Sequence, residues 1–143
     1  MRRSKVLGIG GVVMAALFLA DVQAQVRLEW AKRYNGPAND LDGALAIAVD
    51  DSGYVYVTGG SLGVGTNLDY ATIKYDASGD SLWVRRFNSG PNIFDLGWDL
   101  LPDDSANLYV TGGSATLKYD RLGTLLWTYD NGAECFRILR GHN

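Results

Sequence analysis

The stretch 54–58 alternates, with Tyr54, Tyr56 and Thr58 on one face and Val55 and Val57 on the other. Both faces are largely apolar, the pattern of a strand buried on both sides of its sheet rather than a surface hairpin with a polar outer face. The strand leaves a tight turn, Asp51-Ser52-Gly53, in which glycine supplies a left-handed backbone position and the Asp and Ser side chains can accept from nearby amides. Read in this way, the chain predicts short strands in two sets, 43–49, 54–59, 70–76 and 81–87, then 97–101, 108–112, 115–120 and 124–129. No segment beyond the N-terminal leader has helical periodicity. Pro102 sits where the first set has Val49, and proline in a ladder is tolerated mainly at an edge.

The two sets are copies. An offset of 53 carries Trp30 to Trp83, Asp42 to Asp95 and the Tyr56-Val57-Thr58-Gly59-Gly60-Ser61 run to Tyr109-Val110-Thr111-Gly112-Gly113-Ser114. Beyond that run the offset falls to 44, carrying Ala71-Thr72-Ile73-Lys74-Tyr75-Asp76 to Ala115-Thr116-Leu117-Lys118-Tyr119-Asp120 and Trp83 to Trp127. The second copy therefore lacks a counterpart of residues 62–70, one loop shortened by nine residues with register kept on either side. Units of roughly 40–50 residues built from short strands belong to propellers and related arrays. The expected fold is all-β, an incomplete β-propeller of about two four-stranded antiparallel blades (about 43–88 and 95–131) plus an N-terminal strand. Three of the four tryptophans, Trp30, Trp83 and Trp127, share one repeat position at the start of the fourth strand. Equivalent placement predicts equivalent packing in the seam between blades, in preference to a row of stacking platforms for sugars or a quinone.

The chain opens with a basic stretch, Met1-Arg2-Arg3-Ser4-Lys5, then fifteen apolar residues (6–20) and Asp21-Val22-Gln23-Ala24. This reads as a secretory signal peptide, 1–24, cleaved after Ala24; the apolar run falls short of the roughly 20 residues that span a bilayer, so the mature chain is expected not to cross a membrane. Arg2-Arg3 leaves the general and twin-arginine export routes both open. The remaining 119 residues carry 10 basic and 15 acidic side chains, without the basic footprint of a nucleic-acid partner. Cys135 is the only cysteine, so no internal disulfide supports the fold.

The repeated residues resemble the bacterial β-propeller repeat, or SBBP repeat. Its pattern is met here by Trp30, Tyr34-Asn35-Gly36, Asp42, the run from Asp50 through Gly53 to Tyr56-Val57-Thr58-Gly59, and Lys74-Tyr75-Asp76 with Gly79 and Trp83. The second copy keeps Asp95, Asp103, Tyr109-Val110-Thr111-Gly112, Lys118-Tyr119-Asp120, Gly123 and Trp127, but has Ala106 in place of the turn glycine. The resemblance covers residues 30–132 and implies a secreted, periplasmic or surface-exposed bacterial protein without an assigned reaction. The Lys-Tyr-Asp to Trp segment is also similar, more loosely, to the tryptophan-docking motif of pyrroloquinoline-quinone dehydrogenases, with the Asp-to-Gly spacing one residue short.

Catalytic chemistry finds little support. Histidine-dependent nucleophilic catalysis needs a histidine on a rigid element, and the only one, His142, is next to last. Asp50-Asp51 and Asp103-Asp104 offer oxygen ligands suited to calcium, but Asp-Asp-Ser before a strand is what a tight turn requires. Asp40 and Asp42 can be read as a glycosidase pair, although Asp95 repeats only Asp42. No metal, cofactor or catalytic residue is expected. The leading reading is a non-enzymatic binding or structural module of the cell surface or periplasm, its partner an unknown protein or glycan. The alternative is a fragment of a propeller enzyme, quinoprotein-like or glycan-acting, with its site at the channel mouth.

With strands alternating in direction, one rim collects only the Asp-led tight turns. The other collects the longer stretches 35–41, 62–69 and 89–94, which predicts recognition there, with Asn67, Asn92 and Phe94 as contributors. Two blades cannot close a ring, so unpaired blade faces are expected to drive self-association. Residues 133–143 lack the Asp-led strand of a further blade and read as a non-repeat tail of a fragment or truncated chain, whose removal should barely affect stability.

Overall fold

The computed structural model describes residues 27–90 and 93–141; the expected signal peptide 1–24, Asn92 and His142 lie outside them. The chain forms eight strands: β1 (Asp42–Val49), β2 (Val55–Leu62), β3 (Leu68–Tyr75), β4 (Ser81–Phe87), β5 (Gly97–Pro102), β6 (Leu108–Gly112), β7 (Ala115–Tyr119) and β8 (Leu125–Asp130). They build two four-stranded antiparallel sheets, ordered β1-β2-β3-β4 and β5-β6-β7-β8. No helix occurs among the described residues. Pro102 closes the edge strand β5, where its missing N–H costs no interior ladder bond.

Strand ends are set by one turn used four times. Asp50, Asp76, Asp103 and Asp120 each donate a backbone N–H to the residue four further on, and each carbonyl accepts from the residue three further on. Each Oδ1 accepts two further amides, from Ser52 and Tyr54, Ser78 and Asp80, Ser105 and Asn107, and Leu122 and Thr124. At Asp103 burial is outweighed by the bonds from Asn107 and Ser105, and at Asp120 the Thr124 amide leads; both carboxyls are held below their ordinary range. The fourth turn position is left-handed throughout, and the third of these turns fills it with Ala106 at φ 61°. Replacing Ala106 by glycine is expected to stabilise the chain by about 0.5–1 kcal/mol, because relief of left-handed strain exceeds the added freedom of the unfolded chain. Urea unfolding followed by circular dichroism checks this; a loss of stability would contradict it.

The two sheets stack face to face, and the core is their interface. The first sheet contributes Tyr56, Tyr70 and Trp83; the second contributes Leu100, Leu108, Val110, Ala115, Leu117 and Tyr119. Tyr70 reaches across the seam, donating to the Ala115 carbonyl at 2.9 Å and accepting the Ala115 amide at 3.1 Å. Lys74, 3 % exposed, stands over the rings of Tyr54 and Tyr56 at 4.1 and 5.0 Å, and its burial lowers its pKa. Burial, reinforced by the bond to Asp50, raises the Tyr56 phenol, and burial pushes Tyr119 up to about 12.

Two of the three tryptophans at the shared position, Trp30 and Trp83, are used alike, while Trp127 stands exposed. Trp83 lies 6.0 Å from Tyr119 and donates to the Arg121 carbonyl; Trp30 lies 5.6 Å from Tyr75 and donates to the Ala77 carbonyl. The indoles rest on Gly123 and Gly79, where a Cβ would stand 2.9 and 2.6 Å from a ring carbon. Trp30 nevertheless belongs to no strand. The expected N-terminal strand does not form between residues 27 and 41, because no third strand lies beside it to complete a ladder. The tail, residues 133–141, forms no strand. It runs back along β5, with the Cys135 amide on the Gly112 carbonyl at 3.0 Å, the Ile138 amide on Asp99, Phe136 5.6 Å from Trp98, and Arg140 paired to Asp104.

Candidate functional site

Alternating strand direction places the β2–β3 hairpin, the β4–β5 connection and the β6–β7 hairpin on one rim and the four Asp-led turns on the other. The long rim is where the two copies differ. In the first sheet the hairpin between β2 and β3 is closed by the Gly63 amide on the Asn67 carbonyl at 3.1 Å and braced by Thr66 on Asp69. Arg86, projecting from β4, holds its base: it donates to Asp69 at 2.8 Å, to the Ser61 carbonyl at 2.9 Å, and to the Ser61 and Tyr34 hydroxyls. Burial opposes the Arg86 charge, but the bonds to Tyr34 and Asp69 prevail and raise its pKa. The shorter second copy has no equivalent of Asp69 and carries Asp130 at the Arg86 position, so the ion pair belongs to the longer hairpin alone.

The linker between the sheets is pinned by Asp95, fully buried. Its carboxylate accepts the Ser89 amide at 2.7 Å, the Ser89 hydroxyl and the Ser114 hydroxyl, and its own amide donates to the Leu68 carbonyl at 2.7 Å. Asp42, its repeat counterpart, accepts the Gly36 amide at 2.8 Å, while its other oxygen is buried without a partner. These two carboxylates therefore fasten connections between repeats. Asp50 and Asp103 likewise spend their oxygens on turn amides, Tyr56 and Asn107. Among the described residues no group of three or more His, Cys, Asp or Glu side chains is placed to hold a metal ion.

Of the three residues expected to bind, Asn67 is half-buried in the long hairpin and Phe94 stands 65 % exposed in the linker; Asn92 lies outside the described residues. The Asp95–Leu68 bond brings the linker against the end of that hairpin, so Asn67 and Phe94 lie on one rim. Sequence reasoning missed Arg86 and Asp69, although the substitution of Asp130 at the equivalent place was a signal. It also missed a groove of ≈ 780 Å3 on the outward face of the first sheet, lined by Trp30, Tyr34, Leu45, Ile47, Val57 and Tyr75 among others. No protein-family model matches the chain, and no curated protein matches it.

Proposed function

We propose that the chain is an exported, non-enzymatic module of the bacterial β-propeller repeat type, acting at the cell surface or in the periplasm and recognising a protein or glycan through its long-loop rim. The observation that supports this most is the contrast between the rims on one rigid two-sheet scaffold. Four near-identical Asp turns commit their polar groups to themselves, while the other rim carries an Arg86-braced hairpin and an exposed Phe94. A rigid frame with variable loops at one end is the usual arrangement for recognition. The repeated tryptophan contact supports blade-like stacking, because Trp30 and Trp83 each seat the indole on a turn of the sheet that follows.

Binding to peptidoglycan fragments, to neutral and acidic polysaccharides and to envelope proteins is the test, with Asn67→Ala and Phe94→Ala on one rim compared with Ser52→Ala and Ser78→Ala on the other. Affinity is expected to fall about tenfold or more for Phe94→Ala, the exposed aromatic, and to be unchanged on the tight-turn rim. Loss confined to the tight turns would overturn the assignment.

A further inference from the structure

Resting on that repeat-module reading, we infer that the two outward faces of the chain are matched halves of the contact buried between its sheets, and that a second copy closes one against the other, head to tail. Inside the chain, the first sheet offers Tyr56, Lys74 and Trp83 to the second. The outward face of the second sheet repeats that set as Tyr109, Lys118 and Trp127. The geometry repeats as well: Tyr56 and Trp83 are 6.3 Å apart and Tyr109 and Trp127 6.0 Å, while the lysine stands 5.0 Å over Tyr56 and 4.8 Å over Tyr109. In return, the second sheet offers Val110, Leu117 and Tyr119, and the outward face of the first repeats these as Val57, Ile73 and Tyr75.

Both faces keep apolar surface in water, with Trp127 42 %, Tyr129 67 %, Ile47 68 % and Val49 60 % exposed. The occupant is a second copy because the internal interface already shows what such a face packs against, and one chain carries both halves. The halves differ, so the contact is heterologous.

The chain's own ends stand in the way. Trp30 fills the place at Tyr75, Ala77 and Gly79 that Trp127 of a second copy would take, and the tail lies over β5 with Phe136 on Trp98. Each segment imitates one strand of a missing neighbour. Docking therefore displaces both, and loosening either one promotes it.

Engineered thiols in the full chain with Cys135→Ser test this. Across the internal contact, a Cβ on Gly97 falls 3.3 Å from the Thr58 Cβ, close to disulfide range. The equivalent positions in two copies are Ala44 and Thr111. Chains carrying Thr111→Cys, mixed with chains carrying Ala44→Cys under mild oxidation, are expected to give mixed disulfides in excess of like-with-like pairs. Trp30→Ala and, independently, Phe136→Ala are each expected to raise the yield about tenfold at sub-saturating concentration, the scale of one lost aromatic contact. Trp127→Ala is expected to abolish it. Mixed disulfides no more abundant than like pairs, or a yield that Trp30→Ala and Phe136→Ala leave unchanged or lower, would overturn the inference. Thr58→Cys with Gly97→Cys in one chain separates the two readings. If this internal disulfide forms while the mixed one does not, sheet stacking stands and self-docking falls; if neither forms, the repeat-module reading falls with it.

Discussion

Replacing Trp83 with alanine is expected to cost about 3–5 kcal/mol, the range for deleting a buried tryptophan. The side chain is 8 % exposed, lies between Tyr56 and Tyr119, and donates to the Arg121 carbonyl at 3.3 Å. Its removal opens a void where the two sheets meet, and two four-stranded sheets have few ways to collapse onto such a void without losing the contacts of Tyr56 and Tyr119. Since domains of this size are stable by only about 5–15 kcal/mol, the variant should approach unfolding at ambient temperature. The repeat supplies a control. Trp127 occupies the same strand position with 42 % exposure, so its replacement is expected to cost about 1 kcal/mol or less in dilute solution. Urea unfolding of both variants by far-ultraviolet circular dichroism measures the difference. Equal losses would show that the outward face of the second sheet is covered as fully as the internal seam.

Asp95→Ala is expected to cost about 3 kcal/mol, against about 1 kcal/mol for Asp42→Ala, although the two aspartates hold the same repeat position. Asp95 is fully buried and accepts from the Ser89 amide and hydroxyl and from the Ser114 hydroxyl; removing it takes the shared acceptor from three part-buried bonds and leaves a cavity where the carboxylate was. Asp42 is half-exposed and accepts the Gly36 amide alone. The same unfolding measurement decides the matter, and Ser114→Ala combined with Asp95→Ala should be far less than additive because the two share one bond. An Asp42→Ala loss as large as that of Asp95→Ala would mean that burial does not set the worth of these pins. Because Asp95 ties the linker to both hairpins, its loss is also expected to weaken the placement of Phe94 on the rim.

The strand boundaries were legible because their causes are local. An Asp followed three residues later by a left-handed position defines each turn, and the alternation between turns defines each strand, so β4 and β6 fall on the expected residues and β2 and β3 differ from them by one to three residues at their ends. The equivalence of Trp30, Trp83 and Trp127 was legible for a similar reason, since copying a residue copies its neighbours. Which of these indoles is buried was not legible. It depends on whether a sheet lies opposite, and only Trp83 has a complete one.

Arg86 and Asp69 sit seventeen residues apart with nothing in the local pattern to join them; strand pairing brings β4 beside β3 and so places the guanidinium under the long hairpin. The failure of a strand to form around Trp30 and the docking of residues 135–140 along β5 have the same origin. A ladder or a packed face needs a partner distant in sequence, and partners are chosen by what the rest of the fold leaves open. The sequence by itself determined the turns, the alternation, the repeat and the position of the one shortened loop. Tertiary structure alone decided which repeat-equivalent side chains are covered, because burial is a property of the pair of surfaces that meet and not of either one.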